Sequence, residues 1–174
     1  MFRSESDFCN NPARSAFLSK HHTVFSILLK AGGVAFGAAT AIGFATGSLD
    51  LRCLATIASI VAIVVTYPLK PLPGGKALKS IPGVKLLQIG GCAALLVILI
   101  AQAGGAEVTS RVIQLALALG CSTASTANLR DVRDREGDKI DGIKTLAVLL
   151  GPGLALALSV ALSLTAAALL LSLQ

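Results

Sequence analysis

Five of the nine acidic residues of this chain fall in one stretch, between Asn128 and Thr145. Three of these acids, Asp131, Asp134 and Asp138, are spaced by three and four residues. On one continuous α-helix, at about 100° per residue, they fall within about 60° of one another, and Asn128 lies beside them. The spacing therefore predicts three carboxylates and an amide on one face of a helix.

Carboxylates that converge in this way repel one another unless a cation lies among them. Hard oxygen ligands suit Mg²⁺, which usually takes one or two carboxylates together with oxygens of a substrate phosphate. The same stretch also contains interspersed basic residues, namely Arg130, Arg133, Arg135 and Lys139. These cations indicate that an anion is held there too, so a magnesium–diphosphate complex fits the pattern better than a metal alone.

The acidic stretch also has a simpler interpretation, as a solvated loop in which neighbouring acids and bases cancel. An EF-hand calcium loop does not fit: counted from Asp134, Gly137 stands at position four, whereas that loop needs its glycine at position six. A CDP-alcohol phosphotransferase motif does not fit either, because it begins Asp-Gly and needs an Ala-Arg pair that this stretch lacks. On the residues alone, the solvated loop and the metal–diphosphate site both stay open.

The rest of the chain is apolar, and this decides which elements can position the acidic stretch. Of 174 residues, 54% are hydrophobic and 14% are charged, with a mean hydropathy of +0.78. Soluble domains carry roughly 25% charged residues, so a soluble monomer and a disordered chain are both disfavoured. Five apolar stretches approach the roughly 20 residues that cross a bilayer: Thr23–Thr46, Leu51–Pro68, Leu86–Ala103, Val108–Ala127 and Thr145–Leu173. We predict an all-α, polytopic transmembrane bundle of about five spans, forming one domain over residues 1–174.

Lysine and arginine are distributed unevenly among the connections between these spans. The turns Gly47–Asp50 and Gly104–Glu107 contain none, whereas the N-terminal segment, Lys70–Lys85 and Asn128–Lys144 hold nearly all of them. With five spans these three segments fall on one side, and the positive-inside rule predicts that this side is cytoplasmic. The net charge of +6 therefore indicates membrane orientation and contact with lipid; basic residues interleaved with aromatic ones, as nucleic acid would require, are absent.

Small residues recur at helix-contact spacing in the first predicted span. Gly33 and Gly37 form one such pair, and Gly43 and Gly47 form another. Pairs of this kind let helix backbones approach closely in a membrane. We therefore expect the first span to pack against a neighbour through these glycines, although chance in a Gly- and Ala-rich helix explains the pattern about as well.

The acidic stretch resembles the second aspartate-rich motif of the UbiA superfamily of intramembrane prenyltransferases. The matching residues are Asp131, Asp134, Gly137, Asp138, Gly142, Lys144, Thr145, Val148 and Gly151. Two shorter matches fall in the expected order along the chain. Tyr67-Pro-Leu-Lys70 resembles the Tyr-x-x-Lys-Arg loop of that family, with Pro71 in place of the arginine. Asp7-x-x-Asn-x-Pro-x-Arg14 resembles the end of the first aspartate-rich motif.

This resemblance implies transfer of a prenyl group from an isoprenyl diphosphate to a lipophilic acceptor, with Mg²⁺ as cofactor. The acceptor is expected to be aromatic, in quinone, pigment or lipid biosynthesis. Asp131, Asp134 and Asp138 are implied as the catalytic, metal-binding carboxylates, with Asp7 as a further metal ligand. The implied diphosphate contacts are Lys70, Arg14, Asn128, Lys139 and Lys144.

The chain departs from the family pattern near its start. The first motif of that family has aspartates at four-residue intervals, and Arg3 stands where another aspartate is expected. The family fold has nine transmembrane helices, of which this chain corresponds to the third to the seventh. We therefore expect a truncated form, or one completed by a partner chain, that does not turn over alone. The alternative is a non-catalytic, degenerate relative with a structural or interaction role.

The predicted span number can be tested by topology mapping. With five spans, a reporter fused after Gln174 lies on the opposite side of the membrane from one at the N-terminus. Accessibility of the two reporters in intact cells checks this expectation. Reporters on one side at both ends would contradict the span count.

Overall fold

The computed structural model of the protein describes residues 12–67, 78, 81–140 and 143–174. Within these residues the regular structure consists of α-helices, with no strand. The helices are α1 (Pro12–Lys20), α2 (His22–Ala45), α3 (Leu51–Thr66), α4 (Val84–Ala103), α5 (Ser110–Arg133), α6 (Arg135–Ile140) and α7 (Leu146–Leu171). The predicted all-α fold class is confirmed.

Four of the five predicted spans are helices of the expected length. In the described part of the chain, α2, α4, α5 and α7 are long and apolar enough to cross a membrane. The second predicted span is shorter: α3 has 16 residues and is about 24 Å long at 1.5 Å per residue. Helix α7 is bent at Gly151, which has a φ of 81° and precedes Pro152.

The fourth span extends further than its apolar sequence predicts. We expected it to end at Ala127, but α5 continues to Arg133, so Asn128 and Asp131 lie inside the same helix as the apolar residues. The helix ends at Asp134, where φ is −89° and ψ is 7°, and α6 begins at Arg135. The prediction that the three aspartates share one face of a continuous helix is therefore wrong: Asp131 lies in α5, Asp134 ends it and Asp138 lies in α6.

Helix α5 is the centre of the bundle. It packs against α4 along one side and against α7 along another, while α3 packs against α4. Helix α2 buries none of its residues within the part of the protein that the structure describes. The positions of the side chains on α5 therefore depend on contacts with α4 and α7.

Helices α4 and α5 cross at two glycines. A Cβ atom on Gly90 would lie 2.8 Å from the carbonyl oxygen of Gly120, and one on Gly120 would lie 2.9 Å from that of Gly90. At Gly33 and Gly37, by contrast, an added Cβ would have no atom within 4 Å. The close helix approach is therefore made at Gly90–Gly120 and not, among the described residues, at the glycines predicted for the first span.

We predict that Gly90→Ala lowers the free energy of unfolding by about 1–3 kcal/mol, because the added methyl group forces the two backbones apart. Gly91→Ala is the matched control, since a Cβ on that neighbouring residue meets nothing within 4 Å. Reversible unfolding of the detergent-solubilised chain measures both. Equal stability of the two variants would contradict the close contact.

Candidate active site

An ion pair between neighbouring helices lies at the centre of the candidate site. Lys85 is the second residue of α4, and its ammonium group donates a hydrogen bond to Oδ1 of Asp131 in α5. The side chain of Asp131 is 5% exposed and that of Lys85 is 40% exposed. A carboxylate buried to this degree needs a paired cation to stay charged, and Lys85 provides it.

The position of Lys85 depends on how α4 begins. The residue before the helix, Gly83, has a φ of 80°, a left-handed conformation that favours glycine. The carbonyl oxygen of Gly83 accepts hydrogen bonds from the amides of Leu86 and Leu87 at 3.0 and 3.2 Å. This turn starts α4 at Val84 and thereby places Lys85 in its first turn, beside α5.

Asp138 is the second carboxylate at this end of the bundle. Burial raises the pKa of its carboxyl group above the usual value; the nearby positive charge of Lys85 lowers this pKa, and the negative charge of Asp131 raises it further. Within the described residues, Oδ2 of Asp138 is buried and has no hydrogen-bond partner. An unpartnered carboxylate oxygen beside a second carboxylate is a favourable position for a cation.

A small polar cavity joins elements that are far apart in the chain. It is lined by Tyr67, Lys85, Asp131, Lys144 and Thr145, together with apolar neighbours. Tyr67 directly follows α3, and Thr145 precedes α7, where its hydroxyl oxygen accepts a hydrogen bond from the amide of Val148 at 3.3 Å. The structure thus brings the tyrosine of one sequence motif next to an aspartate of the other.

A wider polar recess lies on the other side of Lys85. Its volume is about 720 Å³, and its charged lining residues are Lys85, Arg130, Arg133 and Asp134. The hydroxyl-bearing residues Ser122, Thr123 and Thr126 also line it. Asp134 is paired with Arg133, whose Nε lies 2.9 Å from Oδ1 of the carboxylate. Three cations and one anion make this recess basic. We call it the basic recess.

The other predicted diphosphate and metal residues are less well placed or lie elsewhere. Lys139 pairs with Glu136, with 3.0 Å between Nζ and Oε1, and Lys144 is exposed. Arg14 lies in α1, and the structure does not describe its side chain. Asp7 and Lys70 lie outside the described residues. The expected roles of these five residues stay predictions.

Asn128 faces the interface between two helices. Its amide nitrogen donates hydrogen bonds to the carbonyl oxygen of Ala155, at 2.6 Å, and to Oγ of Ser159, at 2.9 Å. Beside it, the hydroxyl group of Ser125 donates to the carbonyl oxygen of Ser159 at 2.8 Å. Asn128 is fully buried. This geometry makes Asn128 a polar link that holds α5 against α7; its expected contact with diphosphate stays a prediction.

An apolar cavity of about 500 Å³ begins beside the small polar cavity. Gly83, Leu86 and Leu146 line both cavities. Further along, the apolar cavity is lined by α4, α5 and α7, with Ala94, Leu117, Cys121, Leu158 and Leu162 in its lining, and it is open on one side. The ionisable groups therefore stand at one end of an apolar cavity within the bundle.

The model of the UbiA prenyltransferase family matches residues 16–174. The chain belongs to the UbiA prenyltransferase family. No similar curated protein and no similar solved structure was found. With its four apolar helices, membership makes the chain an integral, multi-pass membrane protein. It also implies prenyltransferase chemistry in general, with an isoprenyl diphosphate and a lipophilic acceptor as substrates, and Mg²⁺ bound by aspartate-rich motifs is typical of the family.

The residues of this UbiA-family site fit a magnesium ion. Asp138 offers a buried oxygen without a hydrogen-bond partner among the described residues, and Asp131 is close enough for its charge to act on Asp138. One or two carboxylates completed by phosphate oxygens are the usual ligands of Mg²⁺. No group of three potential metal-ligating side chains forms within the described ranges. Asp134, predicted as the third ligand, pairs with Arg133 and lines the basic recess, and its negative charge also acts on Asp138; its role as a metal ligand stays a prediction.

Lys85 was not among the residues predicted from the sequence to act in this UbiA-family site. A lysine at the start of an apolar stretch is fully explained by the positive-inside rule, so its position gives no further signal. Its partner Asp131 lies 46 residues away. Only the packing of α4 on α5 shows that the two side chains meet.

We predict that Asn128→Ala destabilises the protein by about 1–3 kcal/mol, because the variant leaves buried groups of α7 unpaired. Thr165→Ala is the control, since its exposed hydroxyl group bonds only within α7, to the carbonyl oxygen of Ala161. Unfolding of both variants in detergent checks this. A variant with unchanged stability but weaker binding of isoprenyl diphosphate would instead support a diphosphate contact for Asn128.

Proposed function

We propose that the protein transfers an isoprenyl group from an isoprenyl diphosphate to a lipophilic, aromatic acceptor in the biosynthesis of a quinone, pigment or lipid. One observation carries this proposal: the buried carboxylate of Asp131 lines the small polar cavity, which adjoins the apolar one, and its charge acts on the half-buried Asp138. This arrangement suits a substrate with a highly charged head and a long hydrocarbon tail. A solvated, salt-bridged loop requires neither a buried carboxylate nor an adjoining apolar cavity.

The acidic pair acts on the head of this substrate. Asp131 and Asp138 would hold Mg²⁺, which when bound neutralises the charge that develops on the diphosphate as its bond to C1 breaks. Arg130 and Arg133 in the basic recess lie on the adjacent side of α5 and add positive charge for the same anion. We assign Lys70, Arg14, Lys139 and Lys144 as further diphosphate contacts on the strength of the sequence motifs.

The apolar cavity acts on the tail. Its lining consists of leucine, alanine and glycine residues of α4, α5 and α7, together with Cys121 and with Pro82 and Gly83 before α4. Such a lining holds a hydrocarbon chain by burial of apolar surface and keeps water from the allylic carbon that becomes cationic. The acceptor is lipophilic for the same reason, since it must approach this carbon from the membrane or the bundle.

The proposed orientation places the site on the cytoplasmic side. The segments that carry most of the lysine and arginine include Asn128–Lys144, which contains the acidic pair. A water-soluble diphosphate product would then leave into the cytoplasm, while the prenylated, apolar product stays in the membrane.

We predict that Asp138→Asn weakens Mg²⁺-dependent binding of tritiated geranylgeranyl diphosphate by about 10-fold or more, because it removes a charged oxygen ligand. The assay uses the full chain in lipid nanodiscs, with and without EDTA. Glu136→Gln is the matched control: this acid lies two residues away and its side chain is 73% exposed. Its binding is expected to stay within about 2-fold of wild type, as for exposed ion pairs.

Two results would contradict this function. Wild-type protein that binds no isoprenyl diphosphate, or binds it equally well in EDTA, would favour a non-catalytic relative. Equal losses in Asp138→Asn and Glu136→Gln would show that general surface charge, rather than the specific pair of Asp131 and Asp138, attracts the ligand.

A further inference from the structure

Lys85 lies between two polar cavities. On one side its ammonium group binds Asp131 in the small polar cavity, beside Tyr67. On the other side the same side chain lines the basic recess, beside Arg130 and Arg133. A lysine side chain has four flexible carbon–carbon bonds and is 40% exposed here, so its ammonium group can turn from one cavity to the other.

We propose that Lys85 is a diphosphate-binding residue that changes its partner when substrate binds. Without substrate its ammonium group neutralises Asp131. When a divalent cation binds Asp131, the ammonium group turns towards the basic recess and donates hydrogen bonds to the diphosphate. This inference rests on the proposed function and adds to it a specific residue and a coupling between two ligands.

The burial of Asp131 explains why Lys85 pairs with it in the free protein. The carboxylate of Asp131 is almost completely enclosed by α4, α5 and the segment before α7. Leaving such a charge unpaired is strongly unfavourable. A move of Lys85 into the basic recess would also bring its positive charge towards Arg130 and Arg133, which repel it. Both effects hold Lys85 on Asp131 while no anion is present.

The complex of metal and diphosphate reverses both effects. A divalent cation on Asp131 supplies the missing positive charge and repels the ammonium group from the same carboxylate. A diphosphate beside Arg130 and Arg133 turns the repulsion in the basic recess into attraction, because hydrogen bonds from charged donors to phosphate oxygens are strong. The metal and the diphosphate therefore each favour the same movement of Lys85.

This exchange predicts effects of opposite sign on two affinities when the charge of Lys85 is removed. A divalent cation alone binds more tightly, because it no longer competes with the ammonium group for Asp131. The diphosphate binds more weakly, because it loses a charged donor. If Lys85 had a merely structural role, the two affinities would not change in opposite directions, because loss of the local fold weakens the binding of both the cation and the diphosphate.

The experiment measures both affinities on the full chain in lipid nanodiscs. Binding of Mn²⁺ alone is followed by electron paramagnetic resonance, and binding of tritiated geranylgeranyl diphosphate is measured at saturating Mg²⁺. For Lys85→Met we expect Mn²⁺ affinity to rise about 3- to 10-fold and diphosphate affinity to fall about 10- to 100-fold. Lys85→Arg, which keeps the charge, restores most of the diphosphate affinity.

Two further variants keep the test decisive. Lys20→Met is the matched control: it removes one positive charge from an exposed position at the end of α1, and both affinities are expected to stay at wild-type values. If Lys85→Met does not fold, Lys85→Gln replaces it. The glutamine amide still donates a hydrogen bond to Asp131 but carries no charge, so the same two opposite shifts are expected.

The outcomes separate this inference from the proposed function. Wild-type protein that fails to bind the isoprenyl diphosphate overturns both. Wild-type binding that depends on Asp138, together with unchanged affinities in Lys85→Met, overturns only the role of Lys85. A parallel fall of both affinities also overturns it, since this is the result expected of a structural lysine.

Discussion

The burial of one charged carboxylate is the constraint on which the rest of this site depends. Asp131 lies near the C-terminal end of α5 with its side chain 5% exposed, and an unpaired charge that is buried to this degree is strongly unfavourable. Lys85 makes this burial tolerable, and it can do so only if α4 begins beside the end of α5. The turn at Gly83 and the packing of the two helices follow from this requirement.

Close packing of α5 supports the ion pair from both sides. Against α4, the backbones approach at Gly90 and Gly120, where neither residue has room for a side chain. Against α7, Asn128 forms buried hydrogen bonds with Ala155 and Ser159. Small residues and interhelical hydrogen bonds are the usual means of helix association in a membrane, where the hydrophobic effect does not drive it. These two contacts fix the register of α5 and hence the place of Asp131.

The same packing separates a polar end from an apolar interior. Leu86 and Leu146 line the small polar cavity and also the apolar one. A substrate of the UbiA family has the same division, with a charged head and a hydrocarbon tail. The two parts of the site therefore match the two parts of the substrate. The polar lining gives way to the apolar lining within one helical turn of Lys85. This proximity makes the first turn of α4 a sensitive position for both affinity and stability.

The sequence by itself determined the fold class, four apolar spans of the expected length and the family, because composition and motif spacing are local properties of the chain. The tertiary structure decided which side chains meet. It interrupted the helix at Asp134, so the three aspartates do not lie on one continuous helix, and it turned Asn128 towards α7. It also paired Asp131 with Lys85 across 46 residues. Helical periodicity shows which residues share a face, but it cannot show which neighbouring helix covers that face.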